Sequence, residues 1–457
     1  VAMLDPSDLV AVDDLERASD LKVEPLIATQ KELSKALSII YSASEDDTAE
    51  VFARLDDYQN AEEPELDELK EMVEDAPIVR LTNIIINRAV QRRASDIHIE
   101  PQENTVRIRY RVDGVLRRGM DAPKYSQAAL ISRLKIIADL DITKRRIPQD
   151  GRVKFNVKGI EVDMRVSTLP TIFGEKVVIR ILNQDEGLLD INKLGFNETN
   201  YNYFKSLIEK PHGILLVTGP TGSGKSTTLF AALNQLNDYK KNIVTIEDPI
   251  EYRLKGINQV QANDKTGLTF ARTLRSILRQ DPDIIMVGEI RDEETAQIAV
   301  RAALTGHLVM STLHTNDSVS SITRLEDMGI PSYLVGSTVI GVIAQRLVRR
   351  LCSNCKVEYN PGIEEKKLLE IDDDIKLYKA SENGCEKCNS TGFKGRVAIQ
   401  EVLFIDDKLE EMITESASEN KLKKYAIENG MITLLNDGKQ KVIEGITSYQ
   451  ELARIVV

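Results

Sequence analysis

The sequence predicts an α/β fold: a doubly wound parallel sheet over residues 195–457, a smaller basic α+β domain before it, and a four-cysteine insertion late in the chain. Three observations predict it. A Gly-rich loop at residues 219–226 follows an apolar run and opens a helical pattern. Short apolar runs at 213–218, 243–246, 284–287 and 308–312 alternate with helical periodicity. All four cysteines fall into two Cys-x-x-Cys pairs.

In chain order, residues 21–29 suit a strand and residues 30–41 a short amphipathic helix, so residues 1–42 read as part of a small α/β unit. The chain opens on Val1 rather than Met, and the natural start is expected upstream. Residues 43–75 read as an acidic linker containing Pro64. The period of Ile78, Leu81, Ile85 and Ala89 predicts a helix over residues 77–93, followed by strands at 96–100, 106–112 and 115–117. Asp113-Gly114 marks a hairpin between the last two. A helix at 128–138 and strands at 151–157, 159–167 and 176–182 complete an α+β domain over residues 76–186. The expected later boundaries are a doubly wound core at 195–345, a tetracysteine subdomain at 346–400 and a helical tail at 401–457.

The 457 residues carry a formal charge of −12, unevenly spread. Residues 41–75 hold fourteen acidic side chains against Arg54 and Lys70, whereas residues 80–180 hold twenty-one basic against eleven acidic. A basic domain beside a phosphate-binding one contacts nucleic acid, aims arginines at nucleotide phosphates, or simply solvates its surface. No run of about 18 apolar residues is present, which excludes a membrane-spanning helix, and no secretory signal is seen. A cytoplasmic protein is expected.

The chemistry centres on Gly219, Pro220, Thr221, Gly222, Ser223, Gly224, Lys225, Ser226 and Thr227. Such a loop turns backbone N–H groups toward phosphate oxygens at a helix N-terminus. Lys225 adds charge toward the β/γ-phosphates of ATP, and the Ser226 hydroxyl suits Mg²⁺. Glu289, just past the run 284–287, can hold the Mg²⁺ shell or polarise the attacking water. Glu247 stands at the end of another strand with Asp248 and Glu251, for a catalytic or metal-proximal role. His307 and His314 flank the strand at 308–312 and suggest contact with the γ-phosphate edge. A metaphosphate-like transition state calls for arginine; Arg165 and Arg180 in the basic domain, and Arg275, Arg279, Arg291 and Arg324 in the nucleotide domain, are the candidates. Cys352, Cys355, Cys385 and Cys388 suit a closed, structural tetrahedral Zn²⁺ site, with disulfides the alternative.

The series Gly219-Pro-Thr-Gly-Ser-Gly-Lys-Ser226, Glu247-Asp248-Pro249-Ile250-Glu251, Leu278-Arg279-Gln280-Asp281-Pro282-Asp283, Gly288-Glu289-Ile290-Arg291-Asp292, Thr305-Gly306-His307 and Ser311-Thr312-Leu313-His314-Thr315-Asn316, with the cysteine pairs, resembles the secretion-superfamily ATPases of type II secretion and type IV pilus assembly. The resemblance runs from about Ala76 to the C-terminus and implies a RecA-like ATPase domain behind a PAS-like α+β domain. It implies that Glu289 is the Walker B glutamate, that Glu247 belongs to the aspartate box and that His307 and His314 form a histidine box. Arg165 and Arg180 match positions that approach the nucleotide from the N-terminal domain. The resemblance further implies a homohexamer at the cytoplasmic face of the inner membrane, working with a platform protein, a membrane adaptor with a cytoplasmic domain, and acidic phospholipid. Residues 3–41 look like the tail of the family's N-terminal domain, whose upstream half binds cyclic di-GMP in some members.

Within the superfamily, a pilus retraction ATPase is disfavoured because those proteins are shorter and lack the paired cysteines. A RecA-like helicase or translocase would need stacking aromatics, and the chain has no Trp and only 5% aromatics, so no nucleic-acid partner is expected. A scaffold without turnover fits poorly with Lys225 and Glu289 both present.

Overall fold

The computed structural model describes residues 1–19, 22–30, 33, 51–52, 72–73, 75–157, 159–182, 190–372 and 374–456. The helix expected over 30–41 and most of the acidic stretch lie outside them. The chain divides into two compact units, Val1–Gln184 and Asp185–Val457.

The first unit begins with β1 (Ala2–Met3), α1 (Leu9–Ser19) and β2 (Leu26–Ile27), the two short strands pairing in parallel. Among the described residues of the strand expected at 21–29, Leu26–Ile27 is a strand and the others are not. Then come α2 (Ala76–Gln91), β3 (Ala94–Pro101), β4 (Thr105–Val112), β5 (Val115–Pro123), α3 (Gln127–Ile137), β6 (Gln149–Val157), β7 (Ile160–Thr171) and β8 (Gly174–Leu182). The six later strands form an antiparallel sheet in the order β5-β4-β3-β8-β7-β6. Asp113 (φ 50°) and Gly114 (φ 84°) take left-handed backbone at the β4–β5 hairpin, the geometry a two-residue loop between right-twisted strands requires.

Period-two alternation gives this sheet one apolar and one charged face. Ile97, Ile99, Ile108 and Ile179 are buried together with Ile78, Leu81 and Leu134 of the two helices. On the other face Arg109 bonds Glu100 twice, at 2.8 and 2.9 Å, and Arg180 bonds Asp96 at 3.1 Å. Many basic residues of the region are therefore neutralised within their own sheet.

The second unit contains α4 (Glu198–Ile208), β9 (Gly213–Thr218), α5 (Lys225–Leu236), β10 (Ile243–Glu247), β11 (Asn258–Gln261), α6 (Phe270–Ile277), β12 (Ile284–Val287), α7 (Glu293–Leu304) and β13 (Leu308–Leu313). It continues with α8 (Ser320–Asp327), α9 (Ser332–Thr338), β14 (Val339–Leu351), β15 (Val357–Tyr359), α10 (Ile363–Leu369), β16 (Leu377–Lys379), β17 (Phe393–Phe404), α11 (Asp407–Thr414), α12 (Glu419–Glu428), α13 (Leu434–Ile443) and α14 (Tyr449–Val456). The main sheet runs β11-β10-β12-β13-β9-β14-β17, parallel except for β17.

The continuous apolar runs follow from burial on both faces. Along β9, Ile214 and Leu216 pack in one cluster with Ile246, Ile285 and Val309, whereas Leu215 and Val217 pack in another with Phe230, Met286 and Met310. Each such side chain contributes roughly 1.5–3 kcal/mol over its exposed state. Helix starts are set by local caps: the Asp292 side chain accepts from Thr295 N at the head of α7, and Thr433 caps α13.

β14 and β17 differ from the expected boundaries. Both are strands of the main sheet, so the cysteine-bearing insertion is the segment between them, 352–392, and limits at 345 and 400 would cut two paired strands. Gly341 belongs inside β14 because a Cβ there would stand 2.6 Å from Leu207 Cδ1 of α4.

Candidate active site

In a parallel sheet every strand delivers the residues after it to the same edge. At the C-terminal edge of β9 the chain turns through 219–224 into α5. Gly219 (φ 144°) must be glycine twice over, since a Cβ would also stand 2.4 Å from the Gln345 carbonyl oxygen. Gly224 (φ 90°) caps α5, with Lys225, Ser226 and Thr227 in its first turn. The loop and the helix N-terminus can bind phosphate. Lys225 Nζ folds back to donate to Gly219 O (2.7 Å) and Pro220 O (3.2 Å). Burial holds its ammonium below the usual range; Glu289 opposes that effect and Arg346 adds to it.

The loop is held from behind by a residue to which the sequence assigned no role. Gln345, buried on β14, donates from Nε2 to Ser223 O (2.8 Å) and accepts at Oε1 from Thr228 Oγ1 (2.7 Å). Next to it, Arg346 donates to Gln345 O (3.0 Å) and to Asn316 O (2.8 Å). A lone Gln-Arg pair carries no phosphate-site motif, so only strand pairing reveals it.

Glu247 ends β10, Glu289 follows β12 and His314 follows β13, so all three share the loop's edge. Glu247 is buried and accepts at Oε1 from Thr245 Oγ1 (2.6 Å) and Gln259 Nε2 (3.0 Å). Burial raises its carboxyl above the usual range, against those two hydrogen bonds. Glu289 pairs with Arg291 Nη2 through Oε1, and His314 Nε2 lies 3.5 Å from its Oε2. The loop after His314 is fixed to β9, since Thr315 N donates to Thr218 Oγ1 (2.9 Å). This edge can hold a triphosphate between the loop and a pair of carboxylates able to orient water.

The other expected residues are elsewhere. His307 precedes β13 rather than following it, at the opposite edge, a six-residue strand or ~20 Å from His314. Its Nδ1 faces Ala302 O at 2.8 Å and Gly213 N donates to its carbonyl. The expectation that both histidines meet the γ-phosphate edge is corrected to His314 within one chain. Arg279 precedes β12, also at the far edge, where its Nη1 donates to Arg275 O (2.8 Å); it is corrected likewise. Arg275 pairs with Glu294 at 2.6 Å. Arg165 and Arg180 belong to the first unit, opposite each other on β7 and β8, and line a cavity of about 410 Å³ with Asp150, Gly151, Arg152 and Val166.

Within the insertion, Cys352, Cys355, Cys385 and Cys388 bring their sulfurs within 4.8 Å of one another. The Cys352–Cys385, Cys355–Cys388 and Cys385–Cys388 separations are each 3.8 Å, and all four are free thiols rather than disulfides. A tetrahedron of sulfurs about 2.3 Å from a central ion has edges of about 3.8 Å. Backbone N–H groups of Cys385 (3.1 Å) and Gly392 (3.3 Å) point at Cys388 Sγ.

A family model described as type II/IV secretion system protein matches residues 71–454. The chain belongs to that family. Its relatives include type II secretion and type IV pilus assembly ATPases. It is 46% identical over 460 residues to the type II secretion system ATPase E of Vibrio cholerae, covering 99% of this chain and 91% of that protein. It is also 46% identical over 460 residues to the type IV pilus assembly ATPase PilB of Myxococcus xanthus, covering 99% and 81%. Residues 1–47 match the MshEN domain model. Among solved structures, the pilus retraction motor PilT with bound ADP aligns with TM-score 0.55 and 27% identity over 81% of this chain and 96% of that one. The Legionella pneumophila ATPase DotB shares the fold at TM-score 0.61 and 22% identity, over 82% and 94%. These are secretion and pilus ATPases rather than nucleic-acid translocases; the chain is an ATPase of this family, and the translocase alternative is set aside. Among the described residues no helix is long and apolar enough to cross a membrane.

Proposed function

We propose that this chain works as a homohexameric ring at the cytoplasmic face of the inner membrane, turning ATP hydrolysis into assembly of a type II secretion pseudopilus or a type IV pilus through a platform protein. The observation that carries this is the meeting of the 219–226 loop, Glu247, Glu289 and His314 at one sheet edge. The loop backbone and Lys225 hold the β- and γ-phosphates. The Ser226 hydroxyl would hold Mg²⁺, which supplies charge neutralisation across those phosphates when bound. Glu289 and Glu247 orient the attacking water, and His314 lies beside the γ-phosphate. Arg165 and Arg180 would supply the arginine charge that a metaphosphate-like transition state calls for. Cys352, Cys355, Cys385 and Cys388 would hold Zn²⁺ as a closed structural site; their 3.8 Å separations fit it. A membrane adaptor with a cytoplasmic domain is the second partner of the ring.

The test is ATP turnover by the purified chain with acidic phospholipid vesicles and, separately, with single- and double-stranded DNA. Stimulation by vesicles and a hexamer mass with nucleotide are expected. Stimulation by DNA alone, with a monomer at all nucleotide concentrations, would overturn the proposal.

A further inference from the structure

We infer that Gln259 is a positioning residue for hydrolysis, orienting the Glu247 carboxylate through its side-chain amide. The inference rests on the water-orienting role of Glu247 given above. β11 is the edge strand beside β10, and their parallel register sets Gln259 opposite Thr245. Period two puts Thr245 and Glu247 on one side of β10, so Thr245 Oγ1 (2.6 Å) and Gln259 Nε2 (3.0 Å) converge on one carboxylate oxygen, Oε1. The rest of the amide is spent on the loop after Glu247: Nε2 also donates to Tyr252 O (2.8 Å), and Oε1 accepts from Leu254 N (2.8 Å). One side chain therefore fixes both the carboxylate and the segment that follows it.

Glu247 is only 3% exposed, so bulk water cannot replace a lost donor cheaply. The charged group acting on it is Glu251 of the following loop, while Asp248 beside it acts on Arg291 past β12. Burial raises the carboxyl and the Gln259 donor lowers it, so losing that donor moves the carboxyl further up. Oε1 is committed to Thr245 and Gln259, and the Glu251 backbone N–H also bonds the carboxylate, so its orientation is set by the strand pair and the loop together.

The experiment compares Gln259→Leu, Thr245→Val and Glu247→Gln with the wild-type chain in ATP turnover across pH, with ATP binding measured separately. The expected result is a fall in kcat of ~10-fold or more for Gln259→Leu at nearly unchanged KM, with the acid limb of the kcat profile moved to higher pH. Thr245→Val should move the limb the same way and keeps the test open if Gln259→Leu does not fold. A change confined to KM or stability, with the limb unmoved in both variants, would overturn the inference. Wild-type kcat in Glu247→Gln would instead overturn the role of Glu247 itself, so the two failures are distinguishable.

Discussion

His314 Nε2 lies 3.5 Å from Oε2 of Glu289, and Arg291 pairs with the other oxygen of the same carboxylate. Two side chains from the ends of two neighbouring strands thus fix one carboxylate beside the phosphate loop. Glu289→Gln keeps the size and the contacts but removes the charge that draws a proton from water. We predict that it binds ATP as the wild type does and lowers kcat by ~10²-fold. Unchanged kcat would remove Glu289 from the reaction.

The loop's support gives a different outcome. Gln345→Ala leaves Ser223 O and Thr228 Oγ1 without their partners in a buried site, at a cost of roughly 1–3 kcal/mol. Part of that cost falls on the loop conformation that receives phosphate. Equilibrium binding of ATP should weaken several-fold while the stability of the first unit stays the same. Equal affinity in a folded variant would show that the loop holds its shape without β14.

The cysteine cluster predicts about one zinc per chain by elemental analysis of protein purified without added metal. Cys388→Ser should lose the metal and loosen the 352–392 segment, read by proteolysis. Protein with no metal and four freely reacting thiols would reject the site.

Much of this was legible in the sequence, and each failure has a physical source. Apolar runs buried on both faces predicted β9, β10, β12 and β13 nearly to the residue, and Glu247 and Glu289 stand at the sheet edge that also carries the 219–226 loop. His307 and Arg279 were misplaced because they stand before their strands, and in a parallel sheet "before" and "after" lie at opposite edges. β14 and β17 escaped notice because Gly341, Gln345 and Arg346 interrupt the apolar pattern, although Gln345 is polar there for the loop's sake. Gln259 left no signal, since its partner Glu247 is twelve residues away and only strand register joins them.

A pH prediction comes from the C-terminal helices. Glu451 of α14 is buried, which alone would raise its carboxyl, but Arg349 of β14 (2.6 Å) and Arg454 (2.9 Å) bring it down to about 2. A depressed carboxyl contributes stability that is complete above its unfolded value of about 4.5 and is lost as pH falls toward 2. Glu451→Gln should cost ~2 kcal/mol at neutral pH and flatten the acid dependence of hydrogen exchange in α14. An unaltered acid dependence in the variant would assign the loss to other carboxylates.

ATP turnover by Lys225→Ala is the decisive measurement, because Lys225 is, among the described residues, the one ammonium folded into the 219–226 loop. Hydrolysis should fall below ~1% of wild type with the fold intact. Hydrolysis at the wild-type rate would contradict this and place the chemistry elsewhere.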